Sequence, residues 1–308
     1  MFIEFEKWHG CKNDFIICWV NQSQYANLVP SLQRKAKVFC DRNTGIGGDG
    51  LIILIHQNHE TTKQLIIINS DGSLAKTCGN GIRCAALSVY QHALEQNKNS
   101  LESVELRMAE QEYSCQFVPQ KGALLPLVQV DMGTPHLNEK NSWHRDALAF
   151  VRKTLNEHQC PHFLKEFYTC SLANNHLVFI LEEEESLAKM REISQSLQKS
   201  PDWDGINVNF ASPLALARNQ IPLGMRNQEL ADPYKVFIWE RGAGETPACG
   251  SGACAVSAAL LSTGLIARSS WVPTLFPGGC LFAKQDVEEE AIVLCGPGEF
   301  IFSGKIEI

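Results

Sequence analysis

The chain has 308 residues, 44% hydrophobic and 20% charged, with a net charge of −7, a balance that excludes a disordered or fibrous protein. An acidic chain with no basic run lacks the electrostatic footprint of a nucleic-acid binder. No apolar run approaches the roughly 18 residues that a membrane helix needs.

The opening MFIEFEKWHG has no apolar core region, so no signal peptide is expected there. β-branched and aromatic runs bounded by turn residues predict strands at Ile3–Trp8 and Phe15–Val20. A helix follows at Ser31–Asp41, then strands at Leu51–Ile55 and Leu65–Ile68. Gly45-Ile46-Gly47-Gly48-Asp49-Gly50 lies between that helix and the next strand. It matches G-x-G-x-x-G in letters only, because a dinucleotide fingerprint follows a strand and opens a helix; it reads as a structural turn. A helix at Asn80–Gln96 and one around Ala253–Leu261 are apolar on nearly every face, which predicts burial all round. Between them come a strand at Leu127–Asp131, a helix at Arg145–His158, a strand at His176–Leu181, a helix at Leu187–Gln198 and a strand at Tyr234–Trp239. Residues Ala211–Ala231 read as a surface loop. Strands at Ala291–Leu294 and along the alternating tail Glu299–Ile308 close the chain.

The most informative feature is an element written twice. TCGNGIRCAA from Thr77 and ACGSGACAVSAA from Ala248 each place a cysteine, Cys78 and Cys249, ahead of a small-residue helix. Nine residues before each stands a polar, Gly-containing approach, from Asn69 and from Glu240. The repetition predicts two domains of related α/β (α+β) fold, each a mostly antiparallel sheet wrapped around a central helix. The first is expected to span 1–121 with 297–308 and the second 122–296, with Met132-Gly133 after Leu127–Asp131 echoing His9-Gly10.

A helix N-terminus offers unpaired N–H groups and the positive end of the macrodipole, which stabilise a thiolate and bind carboxylate oxygens. Cys78 and Cys249 are therefore the candidate acid–base pair, whereas Cys84 and Cys254 fall inside the apolar helices and read as core. A redox dithiol is the alternative, disfavoured by the lack of a local C-x-x-C. The same lack, with no completing histidines, predicts no metal site. Twelve cysteines without a dense framework read as reduced thiols in a cytoplasm. Asn13, Asn69, Asn80, Asn174 and Asn207 offer uncharged amides, Arg241 a fork for a carboxylate, and Glu240 an acceptor for an ammonium.

HGCKNDF at His9, DRNTGIGGDG at Asp41, NSDGSLAKTCGNGIRC at Asn69, NVNF at Asn207 and ERGAGETPACGSGACA at Glu240 resemble, in order and over nearly the whole chain, the diaminopimelate epimerases. Cys11-Lys12 stands where that family more often has Leu-Gly, and Ala173-Asn174-Asn175-His176 where it has Gly-Asn-Pro-His. The resemblance implies two pseudosymmetric domains with one catalytic cysteine from each at their cleft, and no pyridoxal or other cofactor. It implies epimerisation of L,L-2,6-diaminopimelate to the meso form. Asn13, Asn69, Asn174, Asn207, Glu240 and Arg241 become substrate ligands together with the backbone N–H groups of Gly79, Asn80, Gly250 and Ser251, with His176 supporting. The expected partner is a small amino acid, not a nucleic acid or a membrane, and a homodimer is left open. A cofactor-independent racemase of another amino acid and a non-catalytic binding paralogue remain the alternatives.

Overall fold

The structure is a computed structural model and describes residues 2–56, 62–75, 77–96, 101–138, 142–160, 164–172, 174–200, 205–215, 221–264, 266–285 and 290–308. Its contacts divide the chain into two compact units, residues 1–131 with 295–308 and residues 132–294.

Unit 1 carries β1 (Phe2–Gly10), β2 (Asn13–Asn21), α1 (Tyr25–Cys40), β3 (Gly50–His56), β4 (Thr62–Asn69), α2 (Gly79–Glu95), β5 (Ser103–Met108), β6 (Gln111–Val118) and β7 (Leu127–Asp131). Unit 2 carries β8 (His136–Leu137), α3 (Ser142–Glu157), β9 (Leu164–Leu172), β10 (Asn174–Leu181), α4 (Leu187–Leu197), β11 (Asn207–Pro213), β12 (Tyr234–Glu240), β13 (Gly244–Glu245), α5 (Gly250–Ser262), β14 (Val272–Phe276) and β15 (Gly279–Gln285). The chain returns through β16 (Ile292–Gly296) to β17 (Glu299–Glu307), which pairs antiparallel with β1.

The two units repeat one pairing pattern. In unit 1, β1–β2 is antiparallel, β2–β3 parallel, β3–β4 antiparallel, β4–β5 parallel and β5–β6 antiparallel. In unit 2 the same alternation runs through β9–β10, β10–β11, β11–β12, β12–β14 and β14–β15. Each parallel step needs a crossover, and the crossovers are α1 and α2 in one unit, α4 and α5 in the other. The second crossover helix is the central one. Every residue of α2 from Gly79 to Val89 is buried, as is every residue of α5 from Gly250 to Leu261. Their glycines, alanines, serines and cysteines let the surrounding strands approach closely. By contrast α1 buries one stripe, Leu28, Val29, Leu32, Ala36 and Phe39, against β1 to β4, each large side chain contributing about 1.5–3 kcal/mol.

The repeat also brings particular residues to one end of each sheet. Asn13 opens β2 as Asn174 opens β10, and Asn69 ends β4 as Glu240 ends β12. Those ends lead into the N-termini of α2 and α5.

Several expectations shift. The division falls after Asp131 rather than at Gly122, because Leu127–Asp131 pairs with β6 in the register Phe117↔Val128. The counterpart of the β1–β2 hairpin is therefore β9–β10, and the echo of His9-Gly10 in Met132-Gly133 does not hold. Helix α1 starts at Tyr25 and runs through Pro30, since burial of Leu28 and Val29 outweighs the hydrogen bond that proline removes near the helix start. The expected loop from Ala211 begins inside β11, which continues to Pro213; its residues 216–220 lie outside the described residues, as does Ala173. The hairpins β5–β6 and β14–β15 were not legible. At Cys11-Lys12, φ values of 53° and 67° make the two-residue loop that hairpins favour. Among the described residues no helix is long and apolar enough to cross a membrane.

Candidate active site

In unit 1 Cys78 is the N-cap of α2, with Sγ accepting from the Gly81 N–H at 3.4 Å. The thiol faces Asn13 Oδ1 at 4.0 Å, and the Asn80 Nδ2 donates to that same oxygen at 3.2 Å. The orientation of both amides follows from their ionic ends. Asp49 can only accept, and takes the Asn13 Nδ2 at 2.7 Å; Arg83 can only donate, and gives to Asn80 Oδ1 at 2.8 Å. Asn13 therefore presents an oxygen to the sulfur. Behind Asp49, Arg42 bridges Asp49 and Asp14, and Lys7 pairs with Asp14 at 2.6 Å. These bonds hold the Asp14 carboxyl well below the usual carboxylate range. Asn69 does not join this group through its carboxamide, which donates to Ser73 Oγ at 2.9 Å and secures its own turn.

In unit 2 Cys249 is the N-cap of α5, buried to 6% exposure, with Sγ accepting from the Gly252 N–H at 3.4 Å. Burial and the nearby Glu240 carboxylate push the thiol well above its ordinary value, against the opposing pull of Ser251 and Gly252, so it rests protonated. A chain of donors leads to that sulfur. Asn209 donates its Nδ2 to the Leu177 carbonyl at 3.1 Å and to His176 Nδ1 at 3.2 Å. His176 Nδ1 must then accept, which leaves the ring proton on Nε2, 3.2 Å from Ser251 Oγ. Ser251 Oγ in turn lies 3.4 Å from Cys249 Sγ. Asn207 Nδ2 stands 3.5 Å from His176 Nε2, too long to reverse that assignment, and its Oδ1 accepts the Arg241 backbone N–H at 2.9 Å. Glu240 accepts from Thr246, and the aliphatic stem of exposed Arg241 packs over Gly205. Asn174 shares the sheet end at the start of β10, but its carboxamide hydrogen-bonds to none of these groups among the described residues.

Sequence reasoning missed Asp49, Arg83 and Asn209. Asp49 stands in the sequence inside a glycine-rich turn, which masks its role. Asn209 had a signal, since residues two apart on a strand share a face and Asn207 was already singled out. Arg83, one charge in an apolar helix, gave none.

Burial drives the His176 pKa down to about 3, so the ring is neutral when folded and protonates on unfolding below its ordinary value of about 6.5. Its contribution to stability is complete above that value and is lost as pH falls toward 3. Between pH 6.5 and 5 the loss is about 1.6 kcal/mol, the slope rising from half of 1.36 kcal/mol per pH unit at 6.5 to nearly all of it at 5. Denaturant midpoints at the two pH values should differ less in His176→Gln than in the parent; an equal difference in both would refute the assignment.

The family described as diaminopimelate epimerase matches residues 5–138 and 168–301. Diaminopimelate epimerases of Carboxydothermus hydrogenoformans and Rickettsia prowazekii are 33% and 34% identical to this chain, covering 98% of it in each case and 99% and 97% of themselves. Among solved structures, the Bacillus anthracis phenazine biosynthesis protein of the PhzF family superposes with a TM-score of 0.67 at 13% identity, over all of both chains. A hydroxyproline epimerase of Agrobacterium vitis superposes with a TM-score of 0.57 at 12% identity, over 99% of this chain and 92% of its own; these likenesses speak to the fold. With the two cysteine-capped helices and matches along nearly the whole length, the chain belongs to the diaminopimelate epimerase family.

Proposed function

We propose that this protein epimerises L,L-2,6-diaminopimelate to meso-diaminopimelate, supplying lysine and peptidoglycan precursors in a cytoplasm, by a two-base reaction of Cys78 and Cys249. The observation that carries the reading is the pair of thiols at the N-caps of two buried helices, each 3.4 Å from a first-turn N–H. One sulfur, as thiolate, takes the α-proton and becomes a thiol. The other gives its proton to the opposite face of the carbanion and becomes the thiolate, so proton and charge balance and the two exchange roles in reverse. The carbanion's charge spreads onto the α-carboxylate. The backbone N–H groups of Gly79, Asn80, Gly250 and Ser251 at the helix starts are suited to hold that charge, each donor contributing about 3–4 kcal/mol by analogy with oxyanion holes. Asn13, Asn69, Asn174 and Asn207 are read as amide contacts to the substrate, Glu240 as the acceptor for an ammonium, and Arg241 as the fork for a carboxylate.

Turnover in heavy water tests the activity: epimerisation must place deuterium at the inverted α-carbon, whereas a binding protein leaves diaminopimelate unlabelled. A panel of other amino acids tests the alternative racemase, which is favoured by the exposed Lys12 at the hairpin tip beside Asn13. Arg241→Lys should lower kcat/KM for diaminopimelate about tenfold, because a point ammonium cannot reproduce a bidentate fork. An unchanged ratio would remove Arg241 from the substrate contacts.

A further inference from the structure

Arg83 is fully buried one turn inside α2, and among the described residues no carboxylate lies within ion-pair distance of it. Its guanidinium donates to Asn80 Oδ1 at 2.8 Å, the Gly79 carbonyl at 3.2 Å and the Pro297 carbonyl at 3.3 Å. Cys11 on the β1–β2 turn, Cys84 on α2, Cys115 on β6 and Cys295 on β16 also feel its charge, and burial pushes all four thiols up, so none is an anion. Nearer Asn13, the cations Lys7 and Arg42 are balanced by the carboxylates Asp14 and Asp49. Among the described residues Arg83 is thus a buried cation with no carboxylate at ion-pair distance, while Glu299 acts with it on Cys11, Asp14 on Cys84 and Glu105 on Cys115. Its placement is also unusual, because a cation near a helix N-terminus opposes the macrodipole, and burying one without an anion is costly. Both penalties lessen when an anion arrives at that helix end. The counterpart in α5 has the opposite sign: five residues after Cys249 stands Cys254, uncharged, and the group acting on Cys249 is the Glu240 carboxylate.

We propose that Arg83 is a positioning residue of the Cys78 site: it locks Asn80 and the first turn of α2, and its buried positive charge favours Cys78 as the resting thiolate of the pair. The inference deepens the two-thiol reading and rests on it for its role in turnover. The helix geometry supports transmission, since helical side chains lean toward the N-terminus, and the guanidinium bonds the carbonyl of Gly79, next in sequence to Cys78, and Asn80, whose amide donates to the Asn13 oxygen that faces the Cys78 thiol. Two titratable groups near Cys78 among the described residues are the Tyr113 hydroxyl, held 3.1 Å from Thr77 and pushed up by burial, and the buried Cys84 thiol; both are neutral at neutral pH.

The test alkylates the substrate-free protein with iodoacetamide from pH 6 to 9 and follows the Cys78 and Cys249 peptides by mass spectrometry. Arg83→Met should slow Cys78 alkylation at pH 7 about tenfold and move its profile to higher pH, leaving Cys249 unchanged. Arg83→Lys should keep the Cys78 profile while raising KM through the loss of the Asn80 fork. Folded Arg83→Met with the parental Cys78 profile overturns the proposal. If that variant does not fold, Arg83→Gln, which keeps a donor without the charge, decides by the same readout. Because alkylation needs no substrate, inactivity toward diaminopimelate with an Arg83-dependent Cys78 profile would refute the epimerase reading and leave this one standing.

Discussion

Cys78→Ala and Cys249→Ala should each abolish epimerisation, lowering kcat by about 10⁴-fold, the upper end of what a positioned acid or base contributes. The expectation follows from the symmetry of the reaction: a site with one thiol can remove or return a proton on one face but cannot carry inversion through. Serine variants separate removal from inversion, because a hydroxyl retains the hydrogen-bonding shape while being a far weaker acid. Cys78→Ser and Cys249→Ser should retain slow exchange of the α-proton with solvent while losing inversion. The substitutions test chemistry rather than folding. Each sulfur caps its helix by accepting a first-turn N–H at 3.4 Å, and an N–H···S bond is weak, so its loss should cost about 1 kcal/mol or less of stability, and circular dichroism should be unchanged. Cys78→Ala or Cys249→Ala retaining a tenth of the parental activity would end the two-thiol reading.

How much of this was legible in the sequence depended on whether the cause was local. A helix that is apolar on every face announces its own burial, so α2 and α5 were visible, as were strands such as β2 and β12 with their β-branched and aromatic runs. The β5–β6 hairpin was not, because its turn passes through Ala109 at a φ of 54°, with no glycine or asparagine to mark it. Likewise β11 hid behind a proline, since Pro213 is its last residue, where a lost donor matters least. For the site, helix starts could be read from Cys-Gly-x-Gly, but polarity could not. That Asn13 shows its oxygen to Cys78 depends on Asp49, 36 residues away; that His176 carries its proton on Nε2 depends on Asn209, 33 residues away. Those are consequences of strand register, and no local pattern encodes them.

The same register makes the two helix starts unequal in one respect, and a single methyl group at each should reveal it. A Cβ added at Gly252 would stand 2.7 Å from Asn209 Oδ1 and 2.8 Å from Ile238 Cδ1. Asn209 cannot swing aside without breaking its bonds to the Leu177 carbonyl and His176, and among the described residues its buried Oδ1 already lacks a hydrogen-bond partner. At Gly81 the added Cβ would meet Ile67 Cδ1 at 2.9 Å, the free end of a flexible side chain, with Cys78 Sγ at an ordinary 3.4 Å. Gly252→Ala should therefore cost about 2–3 kcal/mol of stability, the upper range for overpacking, and Gly81→Ala about 1 kcal/mol, where rotation of Ile67 relieves the contact. The effect on turnover should diverge further. Displacing Asn209 frees His176 from its fixed tautomer, so Ser251 loses the donor that aims its hydroxyl at Cys249, and kcat should fall about 100-fold in Gly252→Ala against less than about tenfold in Gly81→Ala. Thermal melts and kcat measured on both variants check the order. Equal losses at the two glycines would mean that the donor chain from Asn209 to Cys249 does not govern the unit 2 thiol, and that the two helix starts act alike.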